Sequence, residues 1–323
     1  MRTGVAFLTA VLLAGLALHI GRAQSAHEVT RAEYDRWKTE LSNWGRWGAD
    51  DEIGTLNLIT PAKRREAAAL VRDGVSVSLS LDLDTEPAVD NGSPFVQEIY
   101  GLGGDGWHIR YHGYGMTHID ALAHVFDDGA TYNGYVPDEE EVLANGHPRS
   151  SIHNLKHGIV TRGVLMDIPR LKGVDYLEPG TAIYPEDLEA WERQAGFKVS
   201  AGDAMFVRTG RWVRRARTGP WPIAEQAAGL HVSCLPWLRE RDVALLGGES
   251  PQDVEPMVGG PGVQYALHNF LIIRLGMHLF DNVDLTALSE TAAELDRWEF
   301  MLTVAPLAVR GGTGSAVNPI ATF

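Results

Sequence analysis

The sequence contains a single cysteine, Cys234, among 323 residues. One thiol cannot form a disulfide within the chain or build a cysteine-based zinc site. Cys234 lies in the apolar run 232–235, and a lone cysteine in such a run is typical of a small buried hydrophobic residue. The sequence therefore excludes a disulfide-stapled scaffold, and the scarcity of cysteine is compatible with an oxidising compartment.

Basic residues are also scarce, because 28 Lys and Arg face 42 Asp and Glu, which gives a formal net charge of -14. Phosphate backbones are bound by basic surfaces, so we expect no nucleic-acid partner. An acidic excess of this kind is typical of a solvated surface. With 45% apolar residues, the chain is long enough for one large α/β domain or two small ones.

Long apolar runs are missing from most of the chain, and the exception is the stretch 5–18. It follows the positive charge of Arg2 and precedes small residues suited to signal-peptidase cleavage, at Gly21, Ala23 and Ser25. This pattern predicts a secretory signal peptide, and the stretch is short for a spanning helix. The alternative is an uncleaved anchor or lipid-facing helix. We therefore predict a signal peptide at residues 1–25 and an exported protein, periplasmic or secreted, without stable membrane association after cleavage.

Local patterns predict a single α/β domain over residues 26–323, with an N-terminal arm, since there is no internal repeat and no Ser- or Pro-rich linker. Thr60 and Pro61 have the residue types of a helix cap and a first helical position. Apolar periodicity predicts helices over 31–41, 61–72, 185–194 and 265–275. It predicts strands over 75–83, 107–111, 117–122, 158–168, 205–208, 243–246 and 300–307.

Histidine is concentrated between residues 108 and 157, where seven of the twelve histidines lie. His118 and Asp120 are two positions apart, so in an extended strand their side chains share one face. Such an N,O pair suits a divalent metal such as zinc or manganese. His124 is again an even step away, and it either continues that face or bends over the site. The alternative is an ordinary buried hydrogen-bonded pair.

These residue types fit hydrolytic chemistry. Hydrolysis of an amide, lactone or imide needs an activated water and a polarised carbonyl, and a divalent metal provides both. A nearby histidine transfers protons near neutral pH. The spacing by itself is a modest signal for such a site.

The segment from Thr117 to His124 resembles the cyclase-like metal-dependent hydrolase family, which includes bacterial kynurenine formamidase and isatin hydrolase. The family signature is His-x-Gly-Thr-His-x-Asp-x-x-x-His, and its last four named positions match Thr117, His118, Asp120 and His124. Further segments resemble the family in the same order along the chain: 180–188, 202–210, 247–251 and 311–319. The resemblance therefore covers most of the region after the predicted signal peptide.

The resemblance implies a fold and a site. The fold is a mixed, partly barrel-like β-sheet core surrounded by helices. His118 and Asp120 are implied to bind the metal, zinc or manganese, and His124 to act as the catalytic acid and base. A late His268, with Asp281 as a possible further ligand, is implied to complete the metal shell. The family also implies a homodimer.

Tyr114 departs from this pattern, because it stands where the family has its first metal-binding histidine. His112 lies two residues earlier and reaches the site if Gly113 and Gly115 bend the chain. The alternative is a surface or core role for His112. With Tyr114 in that position, the site is either rebuilt around His112 or changed in its metal chemistry.

Five residues are candidates for contact with a small-molecule substrate: Trp44, Trp47, Tyr114, His231 and Glu249. The two tryptophans suit a flat apolar pocket, or alternatively anchor the N-terminal arm. His231 lies near where family members place a loop over the pocket. For Glu249, a helix cap or an ion pair is an equal alternative.

The sequence thus predicts a hydrolase that cleaves a carbon–nitrogen bond of a small cyclic or aryl amide, such as a formamide, imide or isatin-like compound, through metal-activated water. One alternative is a lactone hydrolase that uses the same site. The other is a non-catalytic, exported small-molecule-binding protein, which Tyr114 motivates because a lost ligand can mean a lost metal.

Overall fold

The computed structural model describes residues 27–323, so the predicted signal peptide lies outside the described residues. The strands are β1 (Ser76–Ser78), β2 (Val96–Ile99), β3 (Asp105–His108), β4 (His118–Asp120), β5 (Ile159–Asp167), β6 (Ala182–Ile183), β7 (Ala204–Arg208), β8 (Gly229–Leu230), β9 (Leu245–Gly248), β10 (His278–Asp281), β11 (Glu299–Val304), β12 (Gly314–Ala316) and β13 (Ile320–Thr322). Nine of them form one curled sheet in the order β1-β13-β11-β5-β7-β9-β10-β4-β12.

Helices surround this sheet. They are α1 (Arg31–Glu40), α2 (Pro61–Ala68), α3 (Glu139–Asn145), α4 (Ile168–Lys172), α5 (Pro185–Ala195), α6 (Arg211–Thr218), α7 (Leu235–Glu240), α8 (Ala266–Phe270) and α9 (Thr286–Leu295). Short 3₁₀ turns span Gly54–Leu58, Tyr132–Gly134, Ile152–Leu155 and Val232–Cys234, and a π-helical turn, Leu271–Leu275, continues α8. Within residues 27–323, no helix is both long enough and apolar enough to span a membrane.

The centre of the sheet consists of the four parallel strands β5, β7, β9 and β10, and the flanking strands pair antiparallel. The short strands β7, β9 and β10 are buried along their whole length, as expected for parallel strands covered on both faces. Phe206 stacks on Phe280 and also packs against Phe300, which joins three strands across the core. The predicted mixed, barrel-like α/β fold is confirmed.

Local patterns predicted several elements close to their observed bounds. Thr60 accepts a hydrogen bond from Lys63 N at the start of α2, with Pro61 in the first turn, as the sequence indicated. The predicted strand 107–111 is instead the short β3, which pairs with β2 in a separate two-stranded sheet. Five helices were not predicted, namely α3, α4, α6, α7 and α9.

Strand β4 is the element that positions the histidine–aspartate segment. It lies between β10 and β12 and pairs antiparallel with both, so that His118 faces Asp281 and Asp120 faces Gly314 across the ladders. All three residues of β4 are buried. The register with β10 therefore brings a second carboxylate to the histidine–aspartate pair.

Candidate metal centre

Asp120 is the centre of a cluster of four imidazoles. Its Oδ1 lies 3.1 Å from His112 Nδ1 and 3.5 Å from His118 Nε2. Its Oδ2 lies 3.3 Å from His268 Nε2 and 3.8 Å from His124 Nε2. Asp120 is 1% exposed, so this carboxylate faces histidine nitrogens on both oxygens in a buried setting.

Asp281 joins the cluster from β10. Its Oδ2 lies 3.9 Å from His118 Nε2 and 3.7 Å from His268 Nε2. Its Oδ1 accepts a hydrogen bond of 3.1 Å from Gln252 Nε2, which also donates to the carbonyl of Phe280. Gln252 thus holds one oxygen of Asp281 and leaves the other directed at the imidazoles.

The orientation of His118 is fixed by the main chain. Its Nδ1 hydrogen-bonds the carbonyl oxygen of Met116 at 2.9 Å. A carbonyl only accepts, so Nδ1 carries a proton and Nε2 is the ring nitrogen directed at Asp120 and Asp281. An imidazole in this tautomer is ready to bind a metal through Nε2.

His268 is held by the start of helix α8. Asp253 accepts hydrogen bonds from the backbone N–H groups of Leu267 (2.8 Å) and His268 (2.9 Å). The residue before the helix, Tyr265, adopts a left-handed backbone conformation, with φ 51° and ψ 41°. These contacts fix the helix end over the cluster and direct the His268 ring at Asp120.

His112 reaches the cluster through a bent loop. Gly113 has φ +154°, a backbone conformation that residues with a side chain rarely adopt. His112 Nε2 hydrogen-bonds Thr313 Oγ1 at 2.9 Å, which leaves Nδ1 directed at Asp120. Gly314 lies beneath the ring, and a Cβ added there would be 3.2 Å from His112 Cε1 and 2.6 Å from Ile119 O. The backbone conformation at Gly113 and the absence of a side chain at Gly314 together allow the His112 ring to lie beside Asp120.

The carboxylates and imidazoles of the cluster shift the pKa values of one another. Burial opposes the charge on Asp120, but the surrounding His124, His112 and His268 outweigh it and hold the Asp120 pKa well below its usual value. Burial also opposes the charge on His268, yet Asp120 and Asp281 raise the pKa of His268 to about 9. Burial lowers the pKa of His124 to about 4, against the opposing pull of Asp120. Burial therefore favours the neutral imidazole at His124, whereas the two carboxylates favour a proton at His268, which a bound cation would displace.

The residues present fit a divalent cation. Asp120 Oδ1 is buried and accepts no hydrogen bond of normal geometry from residues 27–323, although His112 Nδ1 is near. Two triads each offer ligand atoms within 4.8 Å of one another: His112, Asp120 and His124, and His118, Asp120 and Asp281. Imidazoles with carboxylates are the donor set of zinc and manganese sites.

A cavity of about 190 Å³ opens above the cluster. Its wall includes the six clustered residues together with Tyr114, Val125, Pro251, Tyr265 and Asn269. A second cavity of about 270 Å³ adjoins it, because both are lined by His112, Gly113 and Tyr114. The cluster is therefore accessible from a space suited to a small molecule.

Comparisons with known proteins agree with this architecture. A family profile described as a putative cyclase matches residues 58–254. A crystal structure described as a novel cyclase is 30% identical, covers 87% of this chain and 99% of its own, and superposes with a TM-score of 0.75. This chain belongs to the cyclase family. No curated protein sequence matches it.

Two isatin hydrolases share the fold of this cyclase-family protein at lower identity. Isatin hydrolase A from Labrenzia aggregata, bound to benzyl benzoate, is 18% identical with a TM-score of 0.53, and covers 79% of this chain and 94% of its own. An isatin hydrolase bound to the product analogue thioisatinate is 16% identical with a TM-score of 0.52, and covers 79% and 93%.

The cyclase-family structure brings together seven of the residues singled out by the sequence. His112, His118, Asp120, His124, His268, Asp281 and Tyr114 all line the cavity. The Tyr114 hydroxyl is hydrogen-bonded to that of Tyr265. His112, two residues earlier, lies beside Asp120, with Nδ1 3.1 Å from Oδ1.

The two tryptophans proposed as substrate contacts do not line this cavity, which corrects that expectation. Trp44 Nε1 donates a 2.6 Å hydrogen bond to the carbonyl of Ile273, and the guanidinium of Arg274 lies 4.2 Å from the centre of its ring. The ring of Trp47 is covered by Arg46 at 4.8 Å. The alternative role, anchoring the N-terminal arm to the body, matches the contacts of Trp44.

Glu249 and His231 also lie away from the cavity lining. Glu249 Oε2 accepts hydrogen bonds from the backbone N–H groups of Thr209, Gly210 and Arg211 at the start of α6, so it acts as a helix cap. His231 Nδ1 accepts from Ser233 N and caps a 3₁₀ turn, with its ring near Tyr184. Both side chains accept hydrogen bonds from backbone N–H groups, and neither lines the cavity above the cluster.

Sequence reasoning missed three residues that shape the site, namely Tyr265, Gln252 and Asp253. Gln252 and Asp253 follow the buried strand β9 in the polar run 249–253. Polar residues placed directly after a parallel strand lie at the carboxyl edge of the sheet, where ligands of α/β proteins bind. That signal was available, whereas no local pattern points to Tyr265.

Proposed function

We propose that this cyclase-family protein is a metal-dependent hydrolase that cleaves the carbon–nitrogen bond of a small cyclic or aryl amide. The observation that carries the proposal is the buried Asp120 surrounded by four imidazoles, with Asp281 beside them, at the floor of an open cavity. A purely structural ion pair would need neither so many imidazoles nor access from solvent.

The residues that would hold the cation are His118, Asp120, Asp281 and His268, with His112 in the place left by Tyr114. When bound, zinc or manganese polarises a carbonyl group and increases the acidity of water. The chain supplies the orientation, since Met116 fixes the tautomer of His118, Gln252 holds Asp281, and Asp253 holds the helix of His268.

His124 is suited to proton transfer. Its side chain is 26% exposed to the cavity, and the lowered pKa keeps it neutral at pH 7. In the proposed reaction, His124 Nε2 accepts a proton as water attacks the carbonyl, and then gives that proton to the leaving nitrogen. The flat contact with His112 keeps the imidazole oriented during both transfers.

The same arrangement suits a lactone, in which the proton goes to a leaving oxygen. A non-catalytic binding protein is favoured by one observation, namely that Tyr114 has replaced a histidine of the signature. The two alternatives predict different results in a substrate screen. A lactonase would hydrolyse lactones and leave amides intact, whereas a binding protein would show no turnover of any substrate.

The decisive experiment is metal analysis followed by a substrate screen. Protein purified without chelator and offered zinc and manganese is expected to bind metal stoichiometrically and to hydrolyse one class among aryl formamides, cyclic imides, isatins and lactones. His124→Gln should retain the metal and lose about 10²-fold or more in kcat. Absence of stoichiometric metal, or full turnover by His124→Gln, would contradict the proposal.

We also propose that the protein acts outside the cytoplasm and as a homodimer. Support for export comes from the residue pattern of 1–25, and support for the dimer comes from the family resemblance. Fractionation of cells that express the full chain, and sedimentation of the purified protein, measure these two properties directly.

A further inference from the structure

Two tyrosine hydroxyls hydrogen-bond to each other beside the candidate metal centre. Tyr114 lies in the loop before β4, and Tyr265 directly precedes α8, 151 residues later. Both side chains line the cavity that exposes His118 and His268. Neither hydroxyl is needed to fill the apolar core, so the pair requires an explanation of its own.

The backbone at both tyrosines is fixed, by side-chain hydrogen bonds at Tyr114 and by an unusual conformation at Tyr265. Arg211 Nη2 donates a 2.7 Å hydrogen bond to the carbonyl of Tyr114, and Asn282 Nδ2 donates a 2.7 Å bond to the carbonyl of Gly113. Tyr265 has φ 51°, in the left-handed region that residues with a side chain avoid. Strained positions of this kind cluster at functional sites, and here Tyr265 lines the cavity with its ring centre 6.4 Å from that of His268.

The two hydroxyls carry two protons, and their mutual hydrogen bond uses one of them. In one arrangement Tyr265 Oη donates to the carbonyl of Ala224 at 3.4 Å and Tyr114 Oη donates to Tyr265, so that both protons are used. In the other arrangement Tyr265 donates to Tyr114, whose hydroxyl has no further partner among residues 27–323. When Tyr265 donates to Tyr114, the proton of Tyr114 is therefore free for a ligand, and a hydroxyl that already accepts is a stronger donor.

We propose that the Tyr114–Tyr265 pair donates a hydrogen bond to the carbonyl oxygen of the substrate as that oxygen gains negative charge. This role rests on the proposed hydrolase function. In the family signature a histidine stands at position 114, so this chain exchanges a metal-binding imidazole for a neutral donor in the same wall of the cavity. Fixed donors aimed at a developing oxyanion stabilise the transition state more than the ground state.

The test compares Tyr114→Phe and Tyr265→Phe with Tyr34→Phe. Tyr34 is the matched control, because its buried hydroxyl donates to the carbonyl of Ala266 in the same helix and does not line the cavity. We expect both cavity variants to lose roughly 10²-fold in kcat, with KM changed less than about threefold and metal content unchanged. The double variant should lose little more than either single variant, because the pair acts as a unit. Tyr34→Phe should keep its kcat.

A binding measurement separates this role from turnover. Benzoate presents an aryl carboxylate of the kind that hydrolysis of a cyclic aryl imide or an aroyl amide leaves behind, and its affinity for the metal-loaded protein is measured by calorimetry. We expect affinity about tenfold weaker in either cavity variant and unchanged in Tyr34→Phe. Equal benzoate affinity in all variants, or no benzoate binding by the wild type, would overturn the proposal even if metal binding and hydrolysis are demonstrated. Conversely, weaker benzoate binding by the variants of a protein that hydrolyses nothing supports the donor pair and refutes only the hydrolase.

Discussion

The imidazole of His112 lies flat on that of His124, with ring centres 3.8 Å apart and an angle of 3° between the planes. The stack brings His112 Nδ1 to one oxygen of Asp120 and His124 Nε2 towards the other. The two rings therefore approach a single carboxylate from one side, and each restricts the rotation of the other. The stack therefore places the imidazole of His112 beside Asp120, where we propose that it completes the metal shell.

Replacing His112 with phenylalanine tests its place in the metal shell. His112→Phe keeps a flat ring against His124 and removes both nitrogen atoms. We expect metal affinity to fall by roughly 100-fold, since even outer-shell changes cost 10- to 100-fold. Competition with a coloured chelator measures it. The control is His108→Phe, an exposed histidine paired with Glu98. Equal affinities of the two variants would place His112 outside the shell.

Removing the metal should lower thermal stability, because Asp120 and Asp281 are buried carboxylates close to the same imidazoles. A cation at 100 times its dissociation constant contributes about 2.7 kcal/mol, which corresponds to a Tm decrease of several degrees for a chain of this size. Calorimetry before and after chelation, with the metal then restored, measures the change. In Asp281→Asn, the difference in Tm between the metal-loaded and the chelated protein should be smaller than in the wild type. A chelated protein with the same Tm as the loaded one would argue against a bound cation.

Glu249 should matter for stability and not for metal binding. Its Oε2 accepts from Thr209 Oγ1 as well as from the backbone N–H groups at the start of α6, and the side chain is 1% exposed. Glu249→Gln replaces these charge-assisted bonds with neutral ones, so we expect a loss of about 2 kcal/mol in urea unfolding. The exposed Glu240→Gln is the control. Loss of metal by Glu249→Gln would instead assign Glu249 to the site.

Acid should destabilise the protein partly through His231. Burial lowers its pKa from the ordinary 6.5 to about 4, so the folded state keeps this imidazole neutral while the unfolded state protonates it. The contribution of His231 to the free energy of unfolding is fully present above pH 6.5 and is lost as the pH falls towards 4. The shift corresponds to on the order of 3 kcal/mol.

The measurement for His231 is the slope of unfolding free energy between pH 6.5 and 4. His231→Gln should flatten that slope relative to the wild type, with both proteins loaded with the same metal. The exposed His157→Gln should leave it unchanged. A wild-type slope retained by His231→Gln would show that other groups cause the acid sensitivity.

Features that depend on local geometry were predicted well. His118 and Asp120 share one face because side chains alternate along any extended strand, and the structure places both against the same cluster. The cap at Thr60 and the buried strand β5 also follow from residue patterns a few positions long. The family resemblance added His268 and Asp281, which no local pattern would have joined to the strand.

Predictions failed where a side chain had a choice of partners. Glu249 and His231 both accept hydrogen bonds from backbone N–H groups. The first turn of a helix always has unpaired N–H groups, and these cannot be located when the start of the helix is not predicted. Helix α6 was missed in this way, so for Glu249 the substrate contact and the helix cap stayed equal alternatives, and the structure shows the cap. Trp44 donates a hydrogen bond to Ile273 in the π-helical turn that follows α8. Apolar periodicity does not distinguish such a turn from an ordinary α-helix.

The sequence by itself determined the chemical types of the site, namely imidazoles and carboxylates on a short strand, because alternation and motif spacing are properties of neighbouring residues. Only the tertiary structure decided which distant groups meet them. His268 lies 148 residues from Asp120, Asp281 arrives through the register of β10 with β4, and Tyr265 arrives through a left-handed residue before α8. These contacts depend on how strands and helices pack, which no short stretch of sequence encodes alone.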